Sequence, residues 1–196
     1  MDLEGKRVLV VGLGRTGEAL CRFLPNQGAS VTVSEKKRAE ELGQKIPFWK
    51  EKGIKVEVGG HSQKTFLEAD LIVLSPGVSW LPELEAAREQ GIKIISEIEL
   101  ASRFLKGKVV GITGSNGKST TACLTHKILK EGGMKAHLAG NIGIPLISFV
   151  EESKDDHIFV TELSSFQLKF IEKFRASISV VLNITPDHLD WHPSFK

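Results

Sequence analysis

The sequence predicts an α/β protein made of two consecutive parallel-sheet units. Short apolar, β-branched runs alternate with helical stretches along the whole chain. In addition, two glycine-rich turns, Gly12-Leu-Gly-Arg-Thr-Gly17 and Gly111-Ile-Thr-Gly-Ser-Asn-Gly-Lys-Ser119, each follow such a run and open a helix. Repeated strand–helix alternation lays strands side by side with helices on the faces, and ligands of such sheets lie beyond the strand carboxyl ends. One small sheet rarely needs two such turns. The polar joint Lys106-Gly-Lys108 therefore divides the chain into residues 1–106 and 107–196.

The first strand is Arg7 to Val11. The helix after it carries Ala19, Leu20, Phe23 and Leu24 on one side and stops near Gly28. Ser30 to Ser34 is the second strand, with Glu35 at its end. The glycine spacing and the acidic residue about 20 positions on meet the dinucleotide fingerprint of a Rossmann-like domain. Two readings are open: a turn whose glycines serve only packing, or a cradle for a nucleotide diphosphate with Glu35 toward the ribose or base. Lys37 to Gly53 is a charged, mostly helical connection interrupted by Pro47, and Ile54 to Val58 is a strand. Ser62 to Ala69 is a short helix, and Leu71 to Leu74 a buried strand ending in Ser75-Pro-Gly77. Leu81 to Gln90 is a helix with Pro82 in its first turn and Gly91 at its end. Ile92 to Ile95 is a strand, and Ser96 to Leu105 a helix capped by Ser96. Ser75, Pro76 and Gly77 either just end their strand or touch the same ligand as Gly14.

In the second unit, Lys108 to Ile112 is a strand and Lys118 to Glu131 a helix, with Thr121, Leu124, Thr125, Ile128 and Leu129 at helical spacing. The first amides of that helix have no internal partner and point into the loop. Gly114 and Gly117 allow close approach of an anion, Lys118 adds a cation for outer phosphates, and Ser119 adds a hydroxyl able to ligate Mg²⁺. A helix terminus contributes only ~0.3–2 kcal/mol to an anion. Micromolar binding needs about 8 kcal/mol, so amides, lysine and metal must act together. The usual phosphate-loop pattern wants glycine five residues before Gly117, where this chain has Ile112. The match is a variant, and an ordinary glycine-rich turn is the alternative.

Lys135 to Leu138 is the next strand, followed by Gly140-Asn-Ile-Gly143 and a helix from Pro145 to Glu152. Ile158 to Thr161 is a strand ending at Glu162, with Leu-Ser-Ser-Phe-Gln-Leu168 after it. Ile178 to Leu182 leads into Asn183-Ile-Thr-Pro-Asp-His-Leu-Asp190. Glu162 is read either as a capping or solvated carboxylate or as a magnesium ligand. His188 has three readings: a zinc cluster with Asp187, Asp190 and His192, a surface histidine, or a group at a Mg²⁺–phosphate centre. Pro186 and Pro193 crowd the helix the zinc cluster needs, and a structural zinc site usually also wants cysteine.

At 196 residues the chain can bury roughly 70% of its unfolded surface. A net charge of +2 argues against a strongly basic nucleic-acid binder. Cys21 and Cys123 fall in separate predicted helices, which suits reduced thiols in a cytoplasm rather than a disulfide or zinc framework. The start of the chain lacks a secretory pattern, and no run reaches membrane-span length.

Taken together, Gly111 to Thr120, Gly140-Asn-Ile-Gly143, Glu162-Leu-Ser-Ser-Phe-Gln-Leu168 and Asn183-Ile-Thr-Pro-Asp-His188 resemble the Mur ligases. Gly12-Leu-Gly-Arg-Thr-Gly17 and Ser75-Pro-Gly77 point to the member that adds D-glutamate to UDP-N-acetylmuramoyl-L-alanine. The likeness implies a Rossmann-like domain for the UDP substrate, followed by part of a P-loop-type α/β ATPase domain. It implies ATP and Mg²⁺ as cofactors, and small-molecule partners with neither nucleic acid nor membrane insertion. A cytoplasmic monomer is the expected state. It places Leu13, Gly14, Arg15 and Thr16 at the diphosphate, with Ser75, Pro76 and Gly77 alongside. Glu35 and Lys36 go to the uracil, and Ser164, Ser165 and Gln167 to the muramoyl group. Gly114, Ser115, Asn116, Gly117, Lys118, Ser119 and Thr120 take ATP, and Ser119, Glu162 and His188 take magnesium. Asn141 belongs near the reacting phosphate and the substrate, with Lys118 and His188 as the other catalytic groups. The likeness also implies that such ligases continue past Lys196, with a modified lysine and an amino-acid-binding third domain beyond it. The piece alone is then expected to bind UDP compounds without catalysing. Three alternatives stand beside this reading: another Mur-type ligase, an NAD(P)-binding dehydrogenase, and a noncatalytic nucleotide-binding module.

Overall fold

The computed structural model describes residues 1–78 and 81–186. The chain forms two compact units, Met1–Glu97 and Ile98–Lys196, and each has its own parallel sheet.

In the first unit β1 (Arg7–Val11), β2 (Ser30–Glu35), β3 (Lys55–Val58), β4 (Leu71–Leu74) and β5 (Lys93–Ser96) pair in the order β3-β2-β1-β4-β5. Every pairing is parallel. From β1 the chain steps to β2 and β3 on one side, then returns to the other side for β4 and β5. The point where the order reverses is thus the carboxyl end of β1, the usual ligand position in an open sheet. Val8, Leu9, Val10 and Val11 on β1 and Leu71, Ile72, Val73 and Leu74 on β4 are all buried. Such unbroken apolar runs are what strands covered on both faces require.

Helix α1 (Arg15–Asn26) buries Ala19, Leu20, Cys21, Phe23 and Leu24. Burial pushes the Cys21 thiol up to about 12, so it is inert at neutral pH. The connection over 37–53 divides into α2 (Ala39–Leu42) and α3 (Lys45–Glu51), because Gly43 takes φ +52° between them. Pro47 falls in the first turn of α3, where its missing N–H costs nothing. Helices α4 (Gln63–Leu67) and α5 (Pro82–Glu89) complete the unit.

The second unit pairs β6 (Lys108–Thr113), β7 (Lys135–Gly140), β8 (His157–Glu162) and β9 (Ile178–Val181) in the order β7-β8-β6-β9, all parallel. Helix α7 (Lys118–Glu131) lies on this sheet through Ala122, which packs with Ile112 and Val160, and through Leu129. The sequence pattern put Leu124 and Ile128 on the packed face, but they are 57% and 59% exposed. Small Ala122 sets the contact, and that turns Leu124 and Ile128 outward.

Three expectations on boundaries change. The helix expected over 145–152 is a single 3₁₀ turn, Leu146–Phe149, because the adjacent pair Leu146 and Ile147 is what the core takes in. The helix expected over 96–105 is shorter: β5 runs through Ser96, and α6, which follows it directly, is Glu97–Ser102. The units divide at Glu97–Ile98, ahead of the expected joint at Lys106–Lys108. Glu99 supplies the reason. Its side chain is fully buried, and one oxygen accepts the backbone N–H groups of Glu172, Lys173 and Phe174 at 2.8, 3.0 and 2.8 Å. Arg103 hydrogen-bonds the other oxygen and also reaches Glu172 at 3.3 Å. Most of α6 is therefore tied into the second unit.

Candidate functional site

Each unit assembles polar groups at the carboxyl end of its sheet. In the first, the Leu13 N–H donates to Glu35 Oε2 at 2.6 Å and the Lys37 N–H to Oε1 at 3.0 Å. Glu35, 7% exposed at the end of β2, therefore clamps the glycine turn. Ser75 Oγ donates to the Gly12 carbonyl at 3.2 Å, which joins the β4 end to the same turn.

The three glycines of the turn differ in what demands them. A Cβ at Gly17 would lie 2.0 Å from the Gly12 carbonyl oxygen, so helix and turn can close only around glycine. Gly12 has φ +92°. Gly14 caps α1 at φ −79°, and a Cβ there would meet nothing within 4 Å. The packing of the protein itself does not require glycine at 14. Gly14, Arg15 and Lys36 are exposed, Thr16 and Pro76 are partly buried, and Gly77 has φ +82° with open space before it.

In the second unit β6 runs into Gly114, at φ +138°, and α7 starts after Gly117, at φ +85°. The residue that departs from the usual glycine pattern, Ile112, is 1% exposed and belongs to the core under α7. Lys118 Nζ donates to the carbonyls of Gly114 and Ser115 at 2.7 and 3.0 Å, which holds the ammonium over the loop. Asn116, Ser119 and Thr120 are exposed beside it. Ser119 Oγ donates to Glu162 Oε2 at 2.7 Å, and Asn141 Nδ2 donates to Glu162 Oε1 at 3.0 Å. The Asn141 N–H also bonds the Glu162 carbonyl at 2.9 Å. Gly140 permits this approach, since a Cβ there would fall 2.3 Å from that carbonyl oxygen.

Glu162 is 2% exposed. A buried carboxylate beside a hydroxyl, at the mouth of a loop with a free helix start, is a hard oxygen donor set of the kind magnesium prefers. Among the described residues no cluster of three histidine, cysteine or acidic side chains could hold a metal. His188, with Asp187, Asp190 and His192, lies outside the described residues.

Ser164 and Gln167 form a reciprocal cap at the start of α8 (Ser165–Lys169). The Ser164 N–H donates to Gln167 Oε1 at 3.0 Å, and the Gln167 N–H to Ser164 Oγ at 3.4 Å. Gln167 Nε2 is buried and has no hydrogen-bond partner among the described residues.

Sequence reasoning singled out the segment from Asn183 to His188 but gave Asn183 and Thr185 no role of their own. The Ser115 N–H donates to the Asn183 carbonyl at 3.0 Å. Asn183 Oδ1 accepts the Asn116 N–H at 2.8 Å, and Asn183 Nδ2 donates to the Asn116 carbonyl at 2.9 Å. Ser115 Oγ donates to the Thr185 carbonyl at 3.0 Å and accepts the Thr185 N–H at 2.9 Å. The available signal was a short polar segment following directly on a strand.

Residues 6–96 match the family description "Mur ligase MurD-like, N-terminal domain", and residues 112–196 match "Mur ligase middle domain". A Koribacter versatilis protein named "UDP-N-acetylmuramoylalanine--D-glutamate ligase" is 56% identical over 197 residues, which cover 100% of this chain and 44% of that protein. The protein of the same name from Acidobacterium capsulatum is 54% identical, with 100% of this chain and 43% of that protein covered. The chain thus spans less than half the length of these relatives. A solved Neisseria meningitides UDP-N-acetylmuramate:L-alanyl-gamma-D-glutamyl-meso-diaminopimelate ligase superposes with a TM-score of 0.56 at 20% identity, covering 95% of this chain and 63% of its own. A murein peptide ligase from Psychrobacter arcticus gives 0.53 at 17% identity, covering 95% and 44%. At these identities the structural likeness speaks for the fold.

Proposed function

We propose that this chain, which belongs to the Mur ligase family, is the substrate- and ATP-binding part of a ligase that joins D-glutamate to UDP-N-acetylmuramoyl-L-alanine. The observation that carries the reading is the Ser119–Glu162–Asn141 cluster at the mouth of the Lys118 loop. The names of the relatives that match the whole chain supply the substrates.

The first unit takes the UDP end. Its diphosphate lies on the amides of 13–17 at the start of α1, with Arg15, Thr16 and Ser75–Gly77 around it and Lys36 toward the uracil. Glu35 acts here mainly by holding Leu13. A dehydrogenase would use that acidic side chain on a ribose, and both its oxygens already accept backbone N–H groups.

The second unit takes ATP on the loop 114–120. Ser119 and Glu162 would hold magnesium, whose charge, when bound, offsets that of the triphosphate oxygens. Lys118 moves from the loop carbonyls to the outer phosphates. Asn141, fixed by Glu162, donates toward the transferring phosphoryl group or the substrate. The buried Gln167 amide and Ser164 meet the muramoyl group, with Ser165 beside them.

The reaction transfers the γ-phosphoryl of ATP to the alanine carboxylate, and ADP leaves. The amine of D-glutamate attacks the acyl carbon, phosphate departs, a proton is lost, and the amide forms. An anionic carboxylate must approach an anionic triphosphate, so fixed donors and cations at this loop are the catalytic need. We place the protein in the cytoplasm, where these nucleotides are made; among the described residues no helix is long and apolar enough to cross a membrane.

The test is phosphate release from ATP by the longer protein, dependent on both UDP-N-acetylmuramoyl-L-alanine and D-glutamate. Absence of an amide product defeats the ligase reading. On the chain itself, NAD(H) binding tighter than UDP binding would favour a dehydrogenase.

A further inference from the structure

His61 follows β3 at the same carboxyl edge as the Gly12–Gly17 turn. Gly59 and Gly60, at φ +79° and +144°, bring the chain back over β2. Their N–H groups donate to the carbonyls of Lys37 at 2.8 Å and Glu35 at 3.5 Å. His61 Nδ1 then lies 2.7 Å from Ser34 Oγ, and the ring stands edge-on to Phe66 at 5.8 Å. Ser34 is fully buried and pairs with Val11 in the sheet register, and its carbonyl accepts the Gly12 N–H at 2.9 Å. One β2 residue therefore braces both the imidazole and the first glycine of the turn.

Burial holds the His61 ring below its ordinary value of 6.5; Glu83 and Glu35 pull it upward, and Lys36 pushes it down. With Nδ1 engaged by Ser34, Nε2 is the other directional group of the ring. A Cβ at Gly14, Gly59, Gly60 or Gly77 would meet nothing within 4 Å, so the loops after β1, β3 and β4 all border open space.

We infer that His61 contacts the nucleoside end of a nucleoside diphosphate whose phosphates lie on the Gly12–Gly17 turn, with Nε2 meeting a ring carbonyl or sugar hydroxyl. The inference rests on the nucleotide reading of the first unit, and it adds a residue that sequence reasoning did not reach.

The experiment is a titration of the 196-residue chain with UDP, and separately with pyrophosphate, following the backbone amides of 13–17 and the His61 ring by NMR. UDP moves both sets of signals, while pyrophosphate moves the amides and leaves the ring nearly still. His61→Ala and His61→Asn weaken UDP binding about 3–10-fold, the scale of one lost hydrogen bond. His61→Gln, whose amide nitrogen reaches the Nε2 position, recovers most of it. If UDP moves the amides but neither the ring nor the variant affinities, the inference is overturned and the nucleotide reading survives. If His61→Asn recovers binding and His61→Gln does not, the ring acts only through Ser34, which also overturns a direct contact. Equal movement of the ring by pyrophosphate overturns contact with the nucleoside end. No response of the amides to UDP defeats both readings.

Discussion

Ser119 and Glu162 are joined by a 2.7 Å hydrogen bond between the first turn of α7 and the end of β8, across 43 positions of sequence. With Asn141 on the other carboxylate oxygen, Glu162 is the hub of the second unit's polar cluster. Glu162→Ala is expected to remove the magnesium dependence of ATP binding and to weaken ATP·Mg²⁺ affinity more than ~10-fold, the loss of a charged ligand. Calorimetric titration of ATP with and without Mg²⁺ measures this. Unchanged magnesium dependence would count against the metal role of Glu162.

Gly17→Ala and Gly14→Ala are expected to part company. The first drives a Cβ into the Gly12 carbonyl at 2.0 Å and should destabilise the first unit by about 1–3 kcal/mol, as overpacking does. The second meets open space, should change stability by less than about 1 kcal/mol, and should still weaken UDP binding. Denaturant unfolding and UDP titration of the two variants separate fold from ligand.

Glu99→Ala leaves the N–H groups of Glu172, Lys173 and Phe174 without their acceptor and Arg103 with Glu172 alone. Breaking such a buried pair costs about 3–5 kcal/mol, so the second unit is expected to lose most of its marginal stability. Urea unfolding followed by hydrogen exchange at 172–174 reads the loss. Burial pushes the Glu99 carboxyl upward, but the hydrogen bonds from Glu172, Phe174, Arg103 and Lys173 outweigh it and hold it below the ordinary 4.5. A depressed folded value means full stabilisation above the unfolded value and loss as pH falls through the folded one. The decline therefore starts near 4.5 and deepens below it, and Glu99→Gln should flatten it.

His137 gives an acid sensitivity of the same sign in a higher pH window. Its ring packs against His157 at 4.8 Å, Phe149 at 5.0 Å and Phe159 at 5.3 Å, and its buried Nε2 has no partner among the described residues. Burial foremost, then His157 and His126, hold the ring below 6.5. A histidine kept neutral in the fold stabilises above the unfolded value and loses that contribution as pH falls below about 6.5. Exchange protection of β7 is expected to weaken between pH 7 and 5, and His137→Leu should remove most of that slope. An unchanged slope in the variant would exclude His137 as its source.

The strands were legible because parallel strands covered on both faces leave unbroken β-branched runs, as at Arg7–Val11 and Leu71–Leu74. The turn between β6 and α7 was legible from its glycines and from Lys118. Glu162 was legible because a carboxylate ending an apolar run stands out. Boundaries set by tertiary contacts were not. A glutamate inside a helical stretch looks solvated, and nothing local shows that Glu99 will cap amides 73 to 75 positions away. Leu124 and Ile128 fitted the helical period, but the contact was decided by the small side chain of Ala122. Asn183, Thr185 and His61 acquire their roles only from what the fold sets beside them.

The hydrogen bonds of Ser115 and Asn116 to Asn183 and Thr185 have a mechanical consequence. The loop and the segment leaving β9 are riveted together along their backbones and cannot be displaced separately without shearing several bonds at once. A shift of the loop is therefore transmitted as a push or pull on residues 183–185, which makes that exit a lever whose short arm is the loop itself.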